Sequence, residues 1–187
     1  MQKASKWALT ALMVALLCGL AVAGDKAPYK ATLASTNVQI LPPGVEGNDC
    51  PGLPNVPADI GIFKFIITAV GNSTLMGLTV DVQSHCAFMP LDPNAPPPPP
   101  GTPPAPFFNG LATLTGANGD KIFGTYSGFL SVTEQGLVID GTLITTGGTG
   151  RFKGATGEGK AFGVQTLEGD AALTLTGTLS TPGAIKK

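Results

Sequence analysis

The chain has 187 residues, with 11 Lys and Arg against 12 Asp and Glu and a formal charge of −1. So even a balance, with only 12% charged residues, offers no basic surface to nucleic acid or to an anionic membrane, and the length suits one domain. The 26 Gly and 17 Pro weigh against helices, since in a helix Gly costs roughly 1 kcal/mol and Pro about 3 kcal/mol relative to Ala.

The first residues read as an export signal. Lys3 and Lys6 form a basic start, residues 7–20 an apolar run, and Ala21-Val22-Ala23 a small-residue cleavage site. A transmembrane anchor is the competing reading, but a run shorter than the ~20 residues of a typical span, ending in such a site, favours cleavage before Gly24. Cys18 would suit a lipoprotein only behind a small residue, and Leu17 stands there. The expectation is a secreted or periplasmic domain of residues 24–187, formally about −3 once Lys3 and Lys6 are gone, with no stable membrane insertion after cleavage.

From Gly24 onward the apolar period is two. Residues 29–40 and 60–70 read as strands, and Pro42, Pro43, Pro51, Pro54 and Pro57 make 41–59 a loop, because Pro removes donors from a ladder. Residues 74–87 form a third strand with unlike faces, Met76, Leu78, Val80 and Val82 on one and Thr79, Asp81, Gln83 and His85 on the other. The polar row reads as solvent-facing. In the alternative it lines a cavity, where burial would raise the Asp81 pKa and make that carboxyl an acid or base. Four residues of extended strand, about 13 Å, keep Asp81 and His85 from acting as a hydrogen-bonded pair.

Residues 89–106 are Pro-rich and read as a stiff polyproline loop insertion rather than as a ligand for an aromatic groove. Asn118-Gly119 predicts a type I′ turn between strands 107–115 and 121–133, with Tyr126 and Phe129 on opposite faces of the second. Glu134-Gln135-Gly136 then turns into strand 137–145, and residues 167–170 separate strand 160–166 from the last one. There Leu173, Leu175 and Leu179 alternate with Thr174, Thr176 and Thr178. Eight antiparallel strands without covering helices leave exposed edges unless the sheet closes, so the fold expected is all-β, an eight-stranded antiparallel barrel, with a two-sheet sandwich as the alternative.

Residues 146–159, Thr-Gly-Gly-Thr-Gly-Arg-Phe-Lys-Gly-Ala-Thr-Gly-Glu-Gly, cannot hold a helix and read as a bend between strands. The stretch resembles the GGTGRF-x-GA-x-G signature of allene-oxide-cyclase-like and dirigent-like barrels, including secreted bacterial members of unassigned function. Looser likeness at residues 71–77 and 117–128 extends the resemblance over about 60–180. It implies a barrel, leaves room for a homo-oligomer, and carries over no catalytic residue. Arg151, the single arginine of the chain, lies in this signature. Its five donors suit capping of carbonyls or pairing with an acid, with a ligand carboxylate as the other use.

Cys50 and Cys86 are the two cysteines left after cleavage, and in an oxidising compartment a disulfide is the default reading. One His and two Cys supply too few ligands for a zinc site, so neither metal nor cofactor is expected. The phosphate-loop spacing at residues 154–160 fails because Ala161 stands where a hydroxyl is needed, and no hydrolase elbow or zinc-protease helix occurs. No catalytic residue is assigned, and Asp81, Tyr126 and Arg151 are the ligand-binding candidates. The reading is a secreted barrel that binds a small apolar ligand or serves a structural role, more a binder than an enzyme. A cyclase, isomerase or dirigent-type protein that steers a reactive intermediate by confinement is the alternative.

Overall fold

The computed structural model describes residues 26–134, 136–166 and 170–180. The expected leader, Gln135 and residues 167–169 of the two expected turns lie outside the described residues. Eight strands follow in order, β1 (Lys26–Leu41), β2 (Ile60–Ser73), β3 (Gly77–Pro90), β4 (Ala105–Gly116), β5 (Lys121–Thr133), β6 (Gly136–Gly148), β7 (Gly157–Gln165) and β8 (Ala171–Ser180). Each pairs antiparallel with the next, and β8 returns to β1, so the sheet closes into an up-and-down barrel rather than splitting into a sandwich.

Glycine makes so small a cylinder packable. One interior rung runs from Tyr29 through Gly177, Gly159, Leu143 and Tyr126 to Gly110. Large side chains thus share the rung with residues that occupy no interior volume. A Cβ on Gly110 would lie 2.6 Å from the Tyr126 ring, and one on Gly177 would lie 2.2 Å from the Glu158 carbonyl.

The Gly-rich signature does more than bend the chain between β6 and β7. It folds back as a single 3-10 turn, Gly150–Phe152, that drives Phe152 and Ala155 into the end of the barrel at 1% and 0% exposure. Thr149 ties this plug to β5: its N–H donates to the Lys121 carbonyl at 2.8 Å, and the Lys121 N–H donates to its hydroxyl at 2.9 Å. Arg151 pairs with Asp120 at 3.4 Å and lies over the Phe152 ring at 4.9 Å.

At the opposite end the loop after β1 is stapled to β3 by a disulfide between Cys50 and Cys86, Cα atoms 5.8 Å apart. The Asn48 amide also donates to the carbonyls of Leu41, Pro42 and Ile62 at 2.9 to 3.1 Å.

Two local expectations change. Asn118 does not take the positive φ that a type I′ turn needs; Gly119 alone does, at 83°, in a connection closed by the Gly116 N–H donating to the Asp120 carbonyl at 2.9 Å. The Pro-rich insertion is shorter than expected, because pairing with β2 holds β3 extended through Pro90 and pairing with β5 starts β4 at Ala105. Turns at residues 92–95 and 99–102 fold the remainder back, each closed by a 3.1 Å backbone hydrogen bond.

Phe152→Ala should cost about 3–5 kcal/mol by emptying the plug. Replacing both Cys50 and Cys86 by Ser should cost about 2–5 kcal/mol. Denaturant midpoints measure both, and an unmoved midpoint for Phe152→Ala would show that the barrel end closes without its plug.

Candidate functional site

The polar row of β3 faces inward, against the expectation of a solvated face. Thr79 and Asp81 are 0% exposed, while Leu78 on the other face is 61% exposed. The neighbours decide this phase. Asp81 lies opposite Ala69 of β2 and Leu114 of β4, both core residues, and residues opposite one another across a ladder share a face. A strand held on both sides cannot rotate to bury its own valines.

Asp81 is poorly supplied with partners. The Gln83 amide donates to its Oδ2, whereas Oδ1 has no hydrogen-bond partner. Burial pushes the carboxyl up from 3.8 to about 7, with the Gln83 hydrogen bond opposing in part. Tyr29 also lies in this core, and its hydroxyl has no partner in hydrogen-bonding geometry; burial and then the Asp81 charge raise it, while the nearby Ser73 hydroxyl opposes slightly.

Further along the row, His85 Nδ1 and Tyr126 Oη form a hydrogen bond of 2.8 Å. The imidazole stacks on Phe65 at 5.2 Å with 9° between planes, and Phe107 packs against it at 5.2 Å. In that aromatic box burial holds His85 down from 6.5 to about 4, and burial followed by the Asp81 charge raises Tyr126. Near neutrality the two are therefore an uncharged imidazole and an uncharged phenol.

A bulge in β4 opens the wall at this point. Pairings Ser84 with Leu111 and Cys86 with Phe108 leave His85 opposite Asn109 and Gly110, with Asn109 at φ 51°. A groove of about 650 Å³ runs across β3 to β6, lined by outward residues such as Leu111 and Ile144 and also by His85 and Tyr126. Lys64 and Asp49, an ion pair of 2.8 Å, close one side. By contrast, the concavity beside Tyr29 has a volume of about 20 Å³, room for roughly one water molecule, so the plugged half of the barrel is filled by side chains.

The expected site residues therefore separate. Asp81 and Tyr126 share the interior and are electrostatically coupled, while Arg151 sits on the plug with Asp120. His85, passed over in the sequence, is the residue that joins core and groove. Its signal was its place in the period-two row of Asp81 and Gln83, once that row turns inward. The disulfide also removes both thiolates from any metal set around His85. No protein-family model, curated protein or solved structure matches this chain, so the likeness to allene-oxide-cyclase-like and dirigent-like barrels rests on the residues quoted for it.

Asp81 and His85 should shape stability in opposite directions. The raised Asp81 favours the fold at low pH and loses that contribution as pH rises from about 4 to about 7. The depressed His85 favours the fold above 6.5 and loses that contribution as pH falls to about 4. Their slopes should nearly cancel across this window. Asp81→Asn should expose a loss of stability toward acid, and His85→Gln a loss toward neutrality, each a few kcal/mol at about 1.4 kcal/mol per unit. Urea denaturation at stepped pH reads this, and parallel profiles for both variants would refute the opposition.

Proposed function

We propose that this is an exported binding protein that holds a small, uncharged, partly apolar molecule in the groove across β3 to β6. One observation carries the reading: the groove reaches past the β4 bulge to a neutral, hydrogen-bonded His85–Tyr126 pair. Its volume, about 650 Å³, falls in the range of small-molecule sites, roughly 300–1,000 Å³. A neutral phenol and imidazole fix a ligand's orientation by hydrogen bonds without demanding a charged partner. Export is supported by the sequence of residues 1–23 and by the disulfide, which persists in oxidising compartments.

The same pair favours a second reading, a confined isomerase or cyclase. An uncharged imidazole can accept a proton and a phenol can donate one, but burial makes this imidazole a weaker base and this phenol a weaker acid than in water, so this reading leans chiefly on confinement.

The test uses tyrosine fluorescence of the secreted protein. Its only Trp is Trp7, within the expected leader, so Tyr29 and Tyr126 report alone. The uncharged dye Nile red should bind saturably and quench Tyr126. Tyr126→Phe, read by the emission of the dye itself, should weaken that binding about two- to tenfold, the loss of one hydrogen bond, with an unchanged circular-dichroism spectrum. Absence of saturable dye binding, together with no small molecule retained in native mass spectra, would overturn the reading.

A further inference from the structure

The groove floor carries a pattern more specific than its volume. Two adjacent outward rungs cross it: Ser84, Leu111, Thr125 and Ile144 in one, with Ser127 and Thr142 paired in the next beside the bulged Asn109. Five of these side chains, Ser84, Asn109, Thr125, Ser127 and Thr142, are uncharged and supply both donors and acceptors. Such groups match a ligand whose own groups both donate and accept, which means hydroxyls. A carboxylate or phosphate would call for donors alone and a cation for acceptors alone.

Leu111 and Ile144 are 59% and 53% exposed on the same rung, with Thr125 between them. They give the floor apolar steps for C–H faces alternating with polar steps. The cations at its margins are engaged, Lys64 by Asp49 at 2.8 Å and Lys160 by the Thr142 hydroxyl at 3.4 Å. Across the sheet the repeat is the strand spacing of about 4.8 Å, close to the advance of one residue along an extended glycan.

We propose that the groove binds a neutral oligosaccharide laid across β3 to β6, its hydroxyls on the Ser/Thr/Asn rungs and its apolar faces on Leu111 and Ile144. This rests on the binding reading above and names the class of its ligand.

The experiment is isothermal titration of the secreted, disulfide-bonded protein with malto-, cello- and chito-oligosaccharides of two to six residues, with Nile red as competitor. One series should bind with affinity that rises with length and levels off near four residues, the number of strands crossed. Nile red should compete. Thr125→Val, a surface change favourable to a strand, should weaken the sugar about two- to tenfold and weaken the dye, which makes no use of that hydroxyl, less. Dye binding without any oligosaccharide binding overturns the glycan inference and leaves the binding reading standing; failure of both removes both. Sugar binding indifferent to Thr125→Val and to the dye places the sugar elsewhere and also overturns the inference.

Discussion

Closure of the sheet is the constraint on which everything else depends. In an open sheet an edge strand can adjust its register at small cost, but here β8 returns to β1 and every strand is held by two neighbours. A shift of one residue anywhere would turn a whole row of side chains to the wrong face and oblige both neighbours to follow. The inward set is therefore a property of the ring and not of any strand. It places Leu33, Leu114 and Leu175 inside, and with them Asp81 and His85.

The outcome is a core under electrostatic tension. In the unfolded chain near pH 5 the aspartate is charged and the imidazole is charged. In the fold burial makes both neutral, so folding is equivalent to moving a proton from His85 to Asp81. The two residues never touch; each has its own partner, Gln83 for one and Tyr126 for the other. The second oxygen of Asp81 and the nearby Tyr29 hydroxyl remain without partners. Sites that depart from the rule that buried polar groups are satisfied are where function is to be sought.

The bulge in β4 connects this interior with the outer surface. By setting two residues against one on each side, it turns Asn109 outward and brings the bare backbone of Gly110 against the Tyr126 ring. The disulfide-stapled loop supplies Asp49 and with it one wall. Plug and bulge divide the barrel, one end closed by Phe152 and the other half in contact with a groove.

Period-two patterning, turn residues and the lack of helical stripes made the strand count, the antiparallel order and the closed sheet legible in the sequence, because these depend on local alternation and on edges that must be satisfied. The cysteine pair was legible for a similar reason, two thiols in a chain whose first residues read as an export signal. The direction of each face was not. Residues 77–85 look the same whether Leu78 or Thr79 is buried, since alternation gives a period and no phase. Only pairing with Ala69 and Leu114 supplied the phase, and those contacts join residues far apart in the chain. For the same reason His85, Tyr126 and the hydroxyl rungs became a site only when the sheet closed and the bulge brought them to one wall.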